Sequence, residues 1–504
     1  MGRVPQERVR AANPAPVRER GHFVLLWMTA ARRAGHSFAL DRAAEWSRDL
    51  GRPLLVLEPL RCDYRWASER LHAFVLQGMA DNARAFAEAR VGYHPYVEPS
   101  PGAGRGLLEA LARHACVVIA DDYPAFFLPR MLAAAATRVP VRLEAVDGNG
   151  LAPMAAGTTV FPSAYAFRRF LQRELPRRLR ELPAANPLGL RSLAGASVPD
   201  EVAKRWPAAS PRLLSADREL LAALPIDHQV PVAPLAGGTS AGRATLRRFL
   251  RERLDRYLLR SHPDEEASSG LSPWLHFGHV SAHEVFRAVA RREGFTPSRL
   301  GSERGGRKEG FWGMSPAAEA FLDELVTWRE LGFNMLSKRP AAAESFETLP
   351  PWALRSLAEH ARDGRDPCYG RSTLEAAGTH DEVWNAAQRQ LLQEGRIHNY
   401  LRMLWGKKIL EWTASPQEAL STLIELNDRW ALDGRDPNST SGIFWCLGRY
   451  DRPWGPTRPV LGTVRYMSSE SARRKLRMAG YLGRYGPAPT SGGRPRGSAG
   501  RERA

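Results

Sequence analysis

The apolar residues of this chain follow two different periodicities, which divide its 504 residues into two parts. From Phe23 to about Glu144, short apolar runs alternate with segments of helical spacing; the runs read FVLLW, PLLVLEP, CVVIAD and VRLEAV. Strands that alternate with helices predict an α/β domain with a Rossmann-like parallel sheet. From Arg243 onward the helical spacing continues almost without interruption, which predicts an all-α domain.

The predicted domain boundaries follow from these patterns and from composition. We expect the α/β domain over residues 21–182 and the helical domain over residues 241–484. Residues 183–240 are rich in proline, alanine and glycine, which is typical of an interdomain linker. Residues 1–20 and 485–504 are predicted to be disordered tails, the second because it is a low-complexity mixture of glycine, proline, serine and arginine.

The bulk composition limits the classes of protein that fit. A formal net charge of +18 favours a polyanionic partner. However, residues 1–20 and 471–504 together supply +11 of this charge, so charge alone is a weak argument for nucleic acid. The four cysteines form no CxxC pair, and no apolar run is as long as a membrane span. We therefore expect a cytoplasmic protein without a metal site and without a membrane partner.

Tryptophan is concentrated in the helical part of the chain. Eight of the 14 tryptophans fall between Trp328 and Trp454. Trp405 and Trp412 are seven residues apart, so they lie on one face of a helix. An aromatic core stripe explains such spacing as well as π-chemistry does, and the stripe alone favours the core.

Two further segments carry side chains that are suited to binding or catalysis. The string SSGLSPWLHFGHVS places Ser268, Ser269 and Ser272 around a glycine before an apolar helix, where hydroxyl and backbone donors can meet a phosphate. By itself this string also fits an ordinary helix cap and turn. In FLDELVTWRELGFN, Glu324 and Trp328 stand four residues apart, so a carboxyl group and an indole share one helical face.

These segments, taken together, resemble one known family. SSGLSPWLHFGHVS is similar to the flavin-phosphate loop of the photolyase and cryptochrome family. The strings THDEVWNAAQ, GRIHNYLRMLWGKKILEWT, LNDRWALDGRDPN and RPVLGTVRYM resemble class II cyclobutane pyrimidine dimer (CPD) photolyases in content, order and approximate spacing. The resemblance is strong over residues 243–482 and weak over residues 20–182.

The resemblance implies a non-covalent FAD and a set of residues around it. Ser268, Ser269 and Ser272 match the residues that grip the diphosphate. Arg402 and Asp433 match an ion pair beside the flavin ring. Asn427 matches the asparagine that faces the ring nitrogen N5, and Asn399 lies in the equivalent of a flavin-contacting turn.

The resemblance also implies a substrate pocket and an electron path. Glu324 matches the glutamate that hydrogen-bonds the damaged pyrimidine pair. The residues that match the surroundings of the dimer are Trp328, Met403, Trp445 and Trp454, and Arg465 is a candidate for contact with the DNA strand. Trp384, Trp405 and Trp412 match the electron-transfer tryptophans, although the order of the outer two is left open. For every one of these tryptophans, packing in the core remains the alternative.

Some positions depart from the family pattern. The polar signature that usually follows the first strand is replaced by WMTAARRAGHSFAL, so the antenna pigment is left open between a deazaflavin, another pigment and none. Residues 301–316 look like an inserted loop, and Gly406 stands where the family usually has alanine. None of these changes removes a catalytic position.

The predicted function is light-dependent repair of CPDs in UV-damaged DNA, by a monomer that associates with DNA in the cytoplasm. Electron transfer from photoexcited reduced FAD would split the dimer. The main alternative is a cryptochrome-like photoreceptor without repair activity, against which the dimer-pocket residues count. Repair of the (6-4) photoproduct has no supporting motif. A DNA-binding module without flavin is disfavoured by Arg402, Asp433 and Asn427.

Overall fold

The computed structural model describes residues 3–189, 195–340 and 344–487, and it has two domains. The N-terminal domain contains one six-stranded sheet in the order β1-β6-β5-β2-β3-β4. The strands are β1 (Val9–Ala11), β2 (Phe23–Trp27), β3 (Leu54–Leu60), β4 (Gly92–Val97), β5 (Ala115–Asp121) and β6 (Leu143–Val146). All neighbouring pairs are parallel except β1 with β6. The predicted α/β fold with a parallel sheet is therefore confirmed.

Helices cover both faces of this sheet, because the central strands are buried on both sides and need apolar cover. The helices of this domain are α1 (Phe38–Leu50), α2 (Glu69–Glu88), α3 (Leu107–Ala112), α4 (Leu128–Ala136) and α5 (Ala164–Arg178). Serine caps α1, α2 and α5 by accepting a hydrogen bond from a backbone N–H of the first turn.

The prediction of a disordered segment over residues 1–20 is wrong for the described residues 3–20. Strand β1 pairs with the edge strand β6, and the side chains of Val4 and Arg8 are buried. The Arg8 guanidinium donates to the carbonyl oxygen of Leu151 at 2.7 Å and lies 4.4 Å from the centre of the Phe38 ring. Edge pairing and long-range contacts, such as those of Arg8 and of the Asn13 side chain with Val141, order the segment, and they leave no periodic signal in the sequence.

The segment 183–240 is packed against the α/β domain and contains short helices. They are α6 (Asp200–Arg205), α7 (Pro211–Leu214) and α8 (Arg218–Ala222). Leu214, Leu221 and Leu224 join a buried cluster with Leu76 and Met79 of α2. Residues 190–194 lie outside the described residues, so the boundaries of this connection stay a prediction.

The second domain is helical throughout its described part, as predicted. Its α-helices are α9 (Gly238–Arg248), α10 (Ser272–His276), α11 (Ala282–Arg292), α12 (Pro316–Leu322), α13 (Arg329–Lys338), α14 (Pro351–Glu359), α15 (Arg371–Glu375), α16 (Glu382–Glu394), α17 (Asn399–Trp412), α18 (Pro416–Trp430), α19 (Pro437–Cys446), α20 (Ser469–Lys475) and α21 (Ala479–Tyr485). The C-terminal tail was predicted to begin at 485, but Tyr485 is buried at the end of α21, and residues 488–504 lie outside the described residues.

Two π-helical turns interrupt the helical pattern, at Phe249–Arg253 and at Asp323–Trp328. The second turn joins α12 to α13 without a break, so residues 316–338 form one continuous helix. A π-turn widens the helix locally, and such turns occur often at functional sites. Glu324 and Trp328 both belong to this turn.

The two domains meet along a buried seam. The Glu330 carboxylate of α13 accepts hydrogen bonds from the backbone N–H groups of Leu151 at 2.8 Å and Ala152 at 3.2 Å. Burial raises the pKa of Glu330 to about 7, although these two bonds and nearby arginines act in the opposite direction. From the other side, Arg70 of α2 donates to three backbone carbonyl groups of the helical domain, those of Leu391, Leu392 and Trp430.

Candidate active site

A cavity of about 520 Å³ lies inside the helical domain. Its wall consists of the serine loop before α10, the π-turn between α12 and α13, the first two turns of α17, and parts of α19. We call it the helical-domain cavity. The predicted site residues that line it are Ser268, Ser269, Ser272, Glu324, Trp328, Asn399, Arg402, Met403, Asp433 and Trp445.

The serine loop forms one end of this cavity. Gly270 between the serines has φ +69°, a left-handed conformation that glycine adopts without strain. Ser269 accepts a hydrogen bond from the backbone N–H of Leu271 at 3.4 Å, which leaves its hydroxyl hydrogen available. Three hydroxyl groups around a tight turn fit an acceptor-rich group such as a diphosphate.

Arg402 and Asp433 form the ion pair that the sequence predicts. Arg402 Nη2 donates to Asp433 Oδ1 at 2.8 Å, and both side chains are largely buried. Burial by itself would raise the pKa of Asp433. The charge and hydrogen bond of Arg402, together with a hydrogen bond from Ser272, outweigh burial and hold this pKa below its ordinary value. The pair therefore stays ionised.

Arg402 also has an unused donor. Its Nε is buried and has no hydrogen-bond partner among the described residues. His398, which precedes α17 and also lines the cavity, has a buried Nδ1 in the same condition. Buried polar atoms are nearly always paired, so these two atoms fit a site that is completed by a bound polar group.

Glu324 stands in the wall of the same cavity, in the π-turn. The surrounding protein raises the pKa of its carboxyl group by desolvation, which the positive charge of Arg260 offsets in part. Arg260 Nη2 donates to Glu324 Oε1 at 3.2 Å. A carboxyl group with a raised pKa can hold a proton and donate it in a hydrogen bond to a carbonyl oxygen.

The three predicted electron-transfer tryptophans touch one another in the core, behind the cavity. The rings of Trp405 and Trp384 are nearly parallel, 7° apart, with centroids at 6.4 Å. The rings of Trp384 and Trp412 meet edge to face at 5.8 Å. All three are buried. Trp405 is one helical turn beyond Arg402 on α17, so this row of indoles starts beside the cavity and leads away from it.

Trp412 stands at the opposite end of the row from Trp405, and two more rings continue from it. The Tyr369 ring meets the Trp412 ring at 5.6 Å and the His380 ring meets it at 5.1 Å. The hydroxyl of Tyr369 is 2.8 Å from Nδ1 of His380, which is exposed. No motif in the sequence marks Tyr369, since only a tertiary contact brings it to Trp412.

Besides the three tryptophans of the row, three more predicted residues lie outside the cavity lining. Asn427 is buried, and its side-chain amide donates to Asp428 at 2.8 Å and to Ser439 at 2.9 Å. Ser439 lines the cavity, so Asn427 is one layer behind its wall. Arg465 donates to Asp451 at 3.0 Å and stacks over Trp454 at 3.9 Å. Trp454 and Arg465 therefore form a half-buried platform held by Asp451.

The packing behind α17 explains the unusual glycine at 406. A methyl group on Gly406 would come within 2.4 Å of the sulfur of Cys446 on α19. The absence of a side chain at 406 thus makes room for the thiol. A single sequence cannot connect these two positions, which are 40 residues apart.

A second cavity, of about 580 Å³, lies between the two domains. We call it the interdomain cavity. Its wall includes residues at the carboxyl ends of parallel strands, the start of α4, and a few residues of the helical domain. They include Trp27, Thr29, Leu57, Tyr64, Tyr96, Phe126, Phe127, Arg130, Ala134, His276, Phe277 and Arg435. Ligands of open parallel sheets bind at this edge of the sheet.

No helix within the described ranges is long and apolar enough to cross a membrane. No group of three or more histidine, cysteine, aspartate or glutamate side chains in the described part of the chain could hold a metal ion.

Relatives match this chain along nearly its whole length. The deoxyribodipyrimidine photo-lyase of Methanothermobacter thermautotrophicus is 33% identical over 482 residues, which cover 95% of this chain and 98% of that protein. The deoxyribodipyrimidine photo-lyase of Oryza sativa subsp. japonica is 32% identical over 498 residues, 94% of this chain and 89% of that protein. No model of a protein family matches the sequence.

A solved structure shares the architecture. The class III photolyase of Agrobacterium tumefaciens superposes with a TM-score of 0.66 over 92% of this chain and 86% of that chain, at 16% identity. The two-domain fold is therefore that of a photolyase. The identity to the relatives shows more: the chain belongs to the deoxyribodipyrimidine photo-lyase family, and it is a DNA-repair enzyme that uses light. Membership of class II stays a prediction.

Proposed function

We propose that the helical-domain cavity binds FAD together with a pyrimidine dimer that is flipped out of DNA, and that the dimer is split there. One observation carries the proposal: a single cavity is lined by the serine loop, the ion pair of Arg402 with Asp433, Glu324, and the indoles of Trp328 and Trp445. Each of these groups comes from a different segment of the chain. A cryptochrome-like photoreceptor would have no use for the dimer pocket.

FAD, when bound, supplies absorption of light and one-electron chemistry. Ser268, Ser269 and Ser272 would hold its diphosphate through hydroxyl donors. Arg402 would place a fixed positive charge, with its unused Nε donor, beside the anionic reduced ring. Asn427 would support the wall near N5 through Ser439, and Asn399 would contact the cofactor at the start of α17.

Glu324 would act on the substrate. Desolvation raises the pKa of its carboxyl group, which favours the protonated form, and this form would donate a hydrogen bond to a carbonyl oxygen of the dimer, where negative charge develops during splitting. Trp328, Met403 and Trp445 supply the apolar and aromatic wall that holds extruded bases by stacking. Arg260 reaches Glu324 and would help to orient it.

The row Trp405, Trp384, Trp412 would carry electrons from the protein surface toward the cavity. Hydrogen bonds fix the first two rings: Trp384 Nε1 donates to the Trp405 carbonyl oxygen at 3.0 Å, and Trp405 Nε1 donates to Gln388 at 2.9 Å. Carbonyl oxygens at the indole N–H favour a transient positive charge on these rings. The contacts with Tyr369 and His380 would complete the route to the surface.

The partner is UV-damaged DNA. Basic side chains stand around the cavity, and they would contact phosphates. They are Arg248, Arg253, Lys308, Arg396 and Arg484. The platform of Trp454 and Arg465 would meet the strand beside the extruded bases. We also propose that the protein acts as a monomer in the cytoplasm, associated with DNA and without a metal.

The interdomain cavity is proposed to hold an antenna pigment, for which a deazaflavin is one candidate. Aromatic rings from two segments stand together in its wall: Tyr64 contacts Phe127 with ring centres at 5.6 Å, and Phe126 contacts Phe127 at 4.8 Å. Such walls suit a flat conjugated molecule. An absorption band of the purified protein that flavin does not explain would support the assignment.

The proposed active site is tested with an oligonucleotide that contains one cyclobutane thymine dimer. We expect the photoreduced protein to remove the dimer under blue light and not in the dark. Glu324→Gln should lower the repair rate by about 10- to 100-fold while DNA binding is retained, since one transition-state hydrogen bond is weakened. Glu359→Gln, an exposed acid on α14, is the control. A protein that binds flavin and photoreduces but leaves the dimer intact would favour the photoreceptor.

A further inference from the structure

Lys407 is a buried ammonium group next to an indole of the active site. Its side chain is 1% exposed, and its Nζ lies 4.7 Å from the centre of the Trp445 ring. The same Nζ donates to the backbone carbonyl oxygen of Trp445 at 3.4 Å. Within the described ranges, no carboxylate forms an ion pair with Lys407. Its charge therefore acts on the ring without a counter-ion in contact.

The lysine is charged under ordinary conditions. Burial lowers the pKa of Lys407 to about 8, and the neighbouring thiol of Cys446 and carboxylate of Asp451 act in the opposite direction. At neutral pH the amine thus carries a proton. A second cation, Arg465, lies 5.5 Å from the centre of the Trp445 ring, but its charge is paired with Asp451. Lys407 is the cation that dominates at this indole.

The tryptophans of the electron path have different surroundings. In the part of the chain that the structure describes, no arginine or lysine stacks over Trp384 or Trp405. Trp412 does have Lys408 at 5.3 Å from its ring centre, but Glu411 neutralises Lys408 at 2.8 Å. Two adjacent lysines of α17 thus face two different indoles, and only the one at Trp445 is left without a carboxylate.

A cation over an aromatic face is attracted to the electrons of the ring. If the ring loses an electron, this attraction becomes repulsion between two positive charges in a medium of low dielectric constant. Oxidation of Trp445 is therefore harder than oxidation of Trp405 or Trp384. Trp445 lines the cavity, so an unprotected indole there would be a direct electron donor to an oxidant inside it.

We propose that Lys407 protects Trp445 from one-electron oxidation and thereby confines electron supply to the row Trp405, Trp384, Trp412. The blocked step is loss of one electron from the Trp445 indole, which would become a radical cation, to an excited oxidised flavin in the same cavity. Lys407 is a positioning and electrostatic residue, since it acts only through Trp445. The inference rests on the function proposed for the helical-domain cavity.

The first test asks whether removal of the charge opens a new route for electrons. Trp384→Phe interrupts the row and should slow photoreduction at least about tenfold, which corresponds to an increase of about 1.4 kcal/mol in the activation barrier. Adding Lys407→Met to Trp384→Phe should restore the rate at least about threefold, and adding Trp445→Phe as well should remove the gain. Lys408→Met in the Trp384→Phe background is the matched control and should restore nothing.

The second test does not need flavin chemistry. A ruthenium polypyridyl photo-oxidant is illuminated with the purified protein, and oxidation of each tryptophan is mapped by mass spectrometry. Lys407→Met should increase oxidised Trp445 at least about threefold, with Trp454 as the internal reference, whereas Lys407→Arg should not. Equal oxidation of Trp445 in the wild type and Lys407→Met overturns the inference.

The two tests separate the inference from the proposed function. A protein that lacks flavin fails the first test in every variant but still responds in the second. Recovery of photoreduction that survives Trp445→Phe also overturns the inference, because the electron then comes from another residue. Thermal unfolding of Lys407→Met and Lys407→Arg shows whether both variants are folded before either comparison is made.

Discussion

The helical-domain cavity and the interdomain cavity have similar sizes, about 520 and 580 Å³, but the chain builds them differently. The first cavity takes its functional groups from long motifs of the helical domain, and the sequence predicts most of them. The second takes single residues from strand ends and loops between Trp27 and Arg435. A cavity lined by long motifs can be predicted from a sequence. A cavity lined by single residues at strand ends can be identified only in the structure, after the order of the strands is known.

The largest expected effect concerns the ion pair of the helical-domain cavity. Arg402→Met leaves Asp433 buried without its cation, which should cost about 3 to 5 kcal/mol of unfolding free energy and release the flavin. Denaturant unfolding and absorbance of the purified protein measure both effects. The control is Arg65→Met, whose partner Glu425 forms a mostly exposed pair worth less than about 1 kcal/mol. Equal losses in the two variants would contradict a special role for the buried pair.

The seam between the two domains should make stability depend on pH. Burial raises the pKa of Glu330 from 4.5 to about 7, so the folded state binds this proton more tightly than the unfolded state. Below pH 4.5 both states are protonated; as pH rises toward 7, unfolding free energy should fall by roughly 3 kcal/mol. Glu330→Gln should flatten this decline in unfolding experiments at several pH values. An unchanged slope would show that other groups cause it.

The packing that supports the helical-domain cavity can be tested at Gly406. Gly406→Ala places a methyl group within 2.4 Å of the Cys446 sulfur, and such overpacking should cost about 1 to 3 kcal/mol. Cys446→Ala in the same chain should recover most of the loss, which a double-mutant cycle of unfolding free energies measures. Additive losses would mean that the two side chains do not compete for space.

The smallest effect on stability is expected in the interdomain cavity. Ala134 is an exposed residue of α4 that lines this cavity, so Ala134→Trp should change stability by less than about 0.5 kcal/mol but occupy part of the space. Any antenna absorbance should then decrease, while repair driven by direct excitation of flavin persists. Ala133→Trp, exposed on the same helix but outside the lining, is the control. Loss of repair in Ala134→Trp but not in Ala133→Trp would show that the two cavities do not act independently.

Local signals account for the parts of the fold that could be predicted. The four apolar runs all became strands, and Ser415 caps α18 by accepting from the Glu418 N–H at 3.1 Å. Strand β4 was missed because GYHPYV lies at the edge of the sheet and contains proline, which weakens its strand signal. Strand β1 was missed because three edge residues give no periodicity.

By itself, the sequence determined which residues share a helical face and in which order the motifs follow, because spacing along a helix fixes direction locally. It therefore placed Trp405 and Trp412 on one face of a helix, and Glu324 and Trp328 on one face of another. Only the tertiary structure decided that Glu324 stands in a π-turn, that Gly406 makes room for Cys446, and that Lys407 faces Trp445 without a carboxylate. Those properties depend on contacts between distant segments, and the packing of whole domains sets the distances, the burial and the charges there.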